Sequence, residues 1–182
     1  MPISEPISLV PYDPAWPNIY EAEASHICGA AQGIVEHIEH FGSTSIPGLI
    51  SKPTIDIMAS VPDIAAIQDF ATWLGDDGYE DMSENFSFRR FFRKSAAGAG
   101  LSFHLHLVNE AAWATKSERL FREWLVAHPA VAASYAALKT KLASSYAQDR
   151  MAYTDAKSAF ISKIVNEARA IRGLEPLTDW RE

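Results

Sequence analysis

The residues best suited to chemistry fall in two short stretches. In EHFGSTSIPGLISKPTIDIMASV, Glu39 to Val61, a glycine and a serine, Gly42 and Ser43, precede an apolar run whose only acid is Asp56. In LSFHLHLV, Leu101 to Val108, two histidines alternate with apolar residues. Alternate residues of a strand share a face. Thr54, Asp56 and Met58 therefore point one way, and Ile55, Ile57 and Ala59 the other. Leu101, Phe103, Leu105 and Leu107 form an apolar face, with Ser102, His104, His106 and Val108 opposite, the two imidazoles ~7 Å apart. If the strands neighbour one another with their apolar faces buried together, Asp56, His104 and His106 converge on one polar surface. One carboxylate and two imidazoles can hold a divalent metal ion.

The turn GSTS exposes backbone N–H groups able to cradle phosphate oxygens, and Ser43, Thr44 and Ser45 add hydroxyl donors. Lys52 places a cation just before the Asp56 strand. RRFFRK adds Arg89, Arg90, Arg93 and Lys94. Alternation pairs Arg90 with Lys94 and Arg89 with Arg93, so one pair can reach the site while the other meets solvent; Arg90 is assigned to the site. Each signal has a plainer reading. A Gly-Ser turn can be only a turn, a strand Asp only hydrogen-bonded, a His-x-His pair only structural, and RRFFRK only a charged edge strand.

These residues need a sheet to position them, and the chain is long enough to build one. Its 182 residues are 48% hydrophobic and 21% charged, as in an ordinary globular protein. The formal charge of -7, from 16 basic and 23 acidic residues, excludes broad coating of nucleic acid. The single cysteine, Cys28, permits no internal disulfide, which fits a reducing compartment; it lies in an apolar helical segment and is expected in the core. No run reaches the ~18 apolar residues of a membrane helix, and MPISEPISLV lacks the pattern of a signal peptide. A soluble, cytoplasmic protein is expected.

The element pattern predicts a short strand at Ile7 to Val10, a helix over Asn18 to Ala31, and strands at Ile34 to Phe41 and Thr54 to Val61. A helix opens at Pro62 and Asp63 and ends at GDDG. SFRRFFRK and LSFHLHLV are strands joined through the small-residue loop SAAGAG. Alanine-rich helices follow from Ala111, broken at His128 and Pro129, with a restart capped by Thr154 or Asp155. The expectation is one α+β domain over residues 1–182, a mixed sheet within about 1–110 and helices within about 111–175.

Several blocks carry a family resemblance over nearly the whole chain: VPYDPAWP, HFGSTSIPGLISKPTIDIMASV, LGDDGYE, RRFFRK, FHLHLV, LFREWLVAHP, YAALKTKLA and YTDAKSAFI. The chain resembles the GrpB family, members of the nucleotidyltransferase-fold (DNA polymerase beta-like) superfamily. One small departure is Glu123, where the family often has Asp. The resemblance implies a nucleotidyltransferase-like mixed sheet packed by helices, a Gly42-Ser43 turn that binds nucleotide phosphates, and Asp56 as the first metal-holding carboxylate. Met58 occupies the second carboxylate position, and His104 and His106 lie where a third acid is expected. That set suits one Mn²⁺ or Zn²⁺ ion better than a pair of Mg²⁺ ions, which need several hard anionic oxygens. Arg122 and Lys157, in family-like blocks on helices, are candidate phosphate ligands or else salt-bridge residues. Tyr153 is a candidate stack for a base or a core residue, and Tyr12 and Trp16 pin the N-terminal segment. Relatives fused to dephospho-coenzyme A kinase associate the family with nucleotide or coenzyme A metabolism. Three activities remain open. The first is metal-dependent transfer of a nucleotidyl group from a nucleoside triphosphate, with Asp56 and Lys52 catalytic. The second is non-catalytic binding of a phosphate-bearing small molecule. The third is hydrolysis at a single metal held by Asp56, His104 and His106.

Overall fold

The computed structural model describes residues 7–86, 88–95 and 100–181. Helix α1 (Trp16–Ala30) leads into strand β1 (His37–Phe41), a 3-10 turn (Ser43–Ser45) and β2 (Thr54–Val61). Then come α2 (Gln68–Asp76), the two-residue β3 (Glu80–Asp81), β4 (Arg90–Ser95) and β5 (Ser102–Asn109). A 3-10 segment (Glu110–Thr115) leads to four helices, α3 (Ser117–Ala127), α4 (Pro129–Ser145), α5 (Arg150–Asp155) and α6 (Ser158–Ile171). The result is α+β: a five-stranded mixed sheet of order β1-β2-β5-β4-β3, then a helical segment.

The two motif strands are direct neighbours. β2 and β5 run parallel, with Asp56 opposite His104 and Met58 opposite His106. β1 pairs antiparallel on the other side of β2, putting Phe41 opposite Asp56, and β4 pairs antiparallel with β5. One face of the sheet carries Ile55, Ile57, Ala59, Phe92, Leu105 and Leu107, which pack with Ile27 of α1 and Phe70 and Leu74 of α2. Each fully buried Ile or Leu among them contributes roughly 1.5–3 kcal/mol. A second apolar cluster joins α3, α4 and α6, through Leu125, Tyr135, Ile161 and Val165, to Ile46 and Leu49 after the turn. The helical segment is thereby fastened to the loop between β1 and β2, facing the sheet's polar side.

Several boundaries differ from the sequence reading. The Ile7–Val10 strand reduces to a bridge between Val10 and Ser51. β1 begins at His37, and α1 starts at Trp16, with the proline at its first turn where no N–H partner is lost. α2 opens at Gln68, because Asp63 instead accepts the Ala65 N–H in a tight turn (2.9 Å). Asp149, not Thr154 or Asp155, caps a helix: its side chain accepts the Ala152 N–H, and Thr154 and Asp155 lie within α5. Cys28 is exposed rather than in the core, because α1 turns Ala24 and Ile27 inward instead. Most of SAAGAG lies outside the described residues.

Candidate functional site

The site begins at Gly42. Its backbone (φ 71°, ψ -172°) lies in a region open essentially to glycine alone. A Cβ there would stand 2.9 Å from both Cβ and Cγ of Asp56. Glycine thus lets the turn close directly over the carboxylate. Its other bonds are internal. Ser45 donates to the Gly42 carbonyl (2.7 Å) and Thr44 Oγ1 to the Thr54 carbonyl (2.8 Å). His40 Nε2 lies 2.9 Å from Thr44 Oγ1. Because that hydroxyl gives its proton to Thr54, it accepts one from His40. Burial pushes the His40 pKa down to about 4, and the neutral ring stacks on Tyr20.

Beside the turn, His104 Nδ1 lies 3.3 Å from Asp56 Oδ1. Asp56, His104 and His106 each offer a ligand atom, all within 4.8 Å of one another. His106 is buried between Phe91, stacked at 4.7 Å, and Phe41, edge-on at 5.2 Å. Burial, reinforced by the positive charge of Arg89, holds its pKa well below the usual histidine range. Its Nδ1 is buried with no hydrogen-bond partner among the described residues. A neutral imidazole with an orphaned nitrogen beside a carboxylate fits a single borderline metal ion. The donor set does not fit two paired hard ions. Met58, on the same face, is wholly buried with Phe41, Val108 and Trp113, so the strand position two residues beyond Asp56 is dry.

Between the sheet's polar face and the helices, a cavity of about 380 Å³ is lined by five basic residues, Lys52, Arg89, Lys139, Arg150 and Lys157, and by Glu118, which pairs with Arg89 at 2.8 Å. Lys139 Nζ donates to Ser43 Oγ at 2.9 Å and also to the Ile50 carbonyl. Burial, then the charge of Lys157, lowers its pKa to about 7. Lys52 and Lys157 lie over the Tyr153 ring, 5.0 and 4.3 Å from its centroid. Burial first, and then neighbouring cations, bring both down to about 8. Lysines crowded so closely are poised to take a polyanion.

Gly42, Ser43, Lys52, Asp56, His104, His106 and Lys157 are therefore brought together. Two candidates stand elsewhere, and a third reaches the cavity without a free donor. Arg90 pairs opposite Leu107 on the helix-covered face and bonds Asp81 and Ser83; Arg89 lines the cavity in its place. Arg122 Nε donates to Ser45 Oγ (3.2 Å), so it braces the turn from behind and is not among the residues lining the cavity. Thr44 borders the cavity, but it is 1% exposed and its hydroxyl is committed internally. The sequence reading missed Lys139 and Arg150. Lys139 is one cation among several in an alanine-rich helix, and only tertiary packing brings it to Ser43. Arg150 sits just after the Asp149 cap, a start signal that was there to be read.

The model for GrpB protein matches residues 6–167. This chain belongs to the GrpB family. A UPF0157 protein of Pseudomonas aeruginosa is 39% identical to this GrpB-family chain over 169 residues, 90% of this chain and 68% of that protein. The crystal structure of the conserved protein GrpB from Enterococcus faecalis superposes with a TM-score of 0.81 at 31% identity, over 91% of this chain and 99% of that one. A weaker match is to a dephospho-CoA kinase of Mycolicibacterium paratuberculosis, 25% identical over 158 residues, 74% of this chain and 39% of that protein.

Proposed function

We propose that the cavity binds the phosphate chain of a nucleoside triphosphate together with one divalent ion, and that it transfers the nucleotidyl group to a small-molecule or protein acceptor. The observation that carries this reading is the meeting of five cationic side chains with Asp56, His104 and His106 around a single cavity. Asp56, His104 and His106 hold the ion, Mn²⁺ or Zn²⁺ in preference to Mg²⁺, and the ion supplies Lewis-acid stabilisation of phosphoryl oxygen. Ser43, Lys139 and Lys157 hold the β- and γ-phosphates. An acceptor oxygen forms a bond to the α-phosphorus as the bond to the α,β-bridging oxygen breaks. Pyrophosphate leaves with that electron pair, and the acceptor's proton is released to water. Lys52 stabilises the charge developing on the leaving pyrophosphate.

The test is incubation with labelled nucleoside triphosphates, Mn²⁺ or Mg²⁺ and a panel of metabolites. Pyrophosphate release is expected, reduced on the order of 100-fold or more in Asp56→Ala. No release, or an unchanged rate in Asp56→Ala, overturns the reading. Release of inorganic phosphate instead, dependent on a loaded ion, assigns the same three ligands to a single-metal hydrolase. The dry surroundings of Met58 favour a second reading, a module that binds a nucleotide or coenzyme A-like ligand without chemistry. The match to a dephospho-CoA kinase is in keeping with such a ligand. This reading expects a ligand-induced thermal shift that survives chelator.

A further inference from the structure

Resting on the phosphate-binding reading of the cavity, we infer that Trp180 is the residue that recognises the aromatic base of the bound nucleotide. Trp180 lines the cavity alongside Thr154 and Lys157, yet it comes from the segment after α6, beyond the residues matched to the family. That segment is held by specific bonds. Asn166 bonds both the N–H and the carbonyl of Leu177, at 2.9 and 3.1 Å. Arg181 bonds Asp155 and Ser158, at 2.7 and 2.8 Å. Trp180 is thus fixed at the cavity wall formed by α5 and the start of α6.

One observation points to a ligand there. The indole Nε1 is buried and has no hydrogen-bond partner among the described residues. A buried tryptophan N–H ordinarily finds an acceptor, and a base carries ring nitrogens and carbonyls that supply one. The cations suit the phosphates and the indole suits a flat ring with an acceptor edge. Together they specify a nucleotide rather than a bare polyphosphate.

Calorimetry with ATP and with inorganic tripolyphosphate, on wild type, Trp180→Phe and Trp180→Ala, tests the assignment. ATP is expected to bind wild type roughly 10-fold tighter than tripolyphosphate, the scale of satisfying one buried donor. Trp180→Ala should bring ATP down to the tripolyphosphate level and leave tripolyphosphate itself unchanged. Trp180→Phe, which keeps an aromatic ring in place but removes the donor, should bring ATP down as Trp180→Ala does. If ATP binds wild type no tighter than tripolyphosphate, or if Trp180→Ala weakens both alike or neither, Trp180 does not read the base, although the phosphate pocket stands. If wild type binds neither probe, the phosphate pocket itself is refuted, and the assignment of Trp180 with it.

Discussion

A methyl group on Gly42 would collide with the carboxylate that the turn encloses. Gly42→Ala is therefore expected to lose about 1–3 kcal/mol of stability through its backbone alone. It should also lose the stabilisation by Mn²⁺ that the proposed ion site expects, because Asp56 must move. Gly29→Ala makes the comparison: its Cβ meets nothing within 4 Å, and it sits inside α1, so a gain of roughly 0.5–1 kcal/mol is expected. Urea unfolding with and without Mn²⁺ checks both, and a Gly42→Ala protein that still responds to the ion would contradict the geometry. Asp56, His104 and His106 were legible from sequence because strand alternation fixes the face of a side chain without further information. Arg90 was misplaced because alternation leaves two faces to choose between. Only the β4–β5 register, with Phe91 opposite His106, turns the Arg89 side of the strand toward the site.

Elements hold those side chains in place through a few long-range bonds. Arg119 of α3 makes a two-pronged contact with Glu39 of β1, at 3.1 and 2.8 Å, and also donates to the Trp113 carbonyl (3.0 Å). This bond ties the helical segment to the sheet beside the turn. Arg119→Ala should cost about 1–2 kcal/mol in urea unfolding, at the low end for charge-assisted bonds since Glu39 is partly exposed. It should loosen α3 more than α2, which packs on the other face of the sheet, seen as faster amide exchange along α3; equal exchange in both helices would contradict that role. The long elements were legible: β2 and β5 from period-two alternation, and the break between α3 and α4 from His128-Pro129. β3 was not, because two residues carry no periodicity and pair only because β4 lies alongside. Nor was the docking of α4, since nothing in an alanine-rich helix says which lysine it will bury.

At the scale of the molecule, a chain of formal charge -7 concentrates positive charge in one hollow. In the folded protein burial brings Lys139 down to about 7, and Lys52 and Lys157 to about 8, from the ordinary lysine value of 10.5. Between those values the unfolded chain binds more protons than the folded one. Stability contributed by these groups therefore rises with pH from about 7 toward 10.5 and is at its lowest below 7. A polyanion in the cavity favours the charged lysines, so binding should take up protons near pH 8. Tripolyphosphate affinity should fall as pH climbs from 7 to 9. Calorimetry in buffers of different ionisation enthalpy measures the uptake, and Lys139→Met should diminish it; binding without proton uptake would show that these lysines are already charged. Among the described residues no helix is long and apolar enough to cross a membrane.

The packing around Met58 limits how this site could be redesigned. A carboxylate introduced at that position would have to shed its hydration among Phe41, Val108 and Trp113. A second acid beside Asp56 therefore requires the surrounding aromatic and aliphatic residues to change in concert, so a single exchange will not turn the one-ion donor set into a two-ion one.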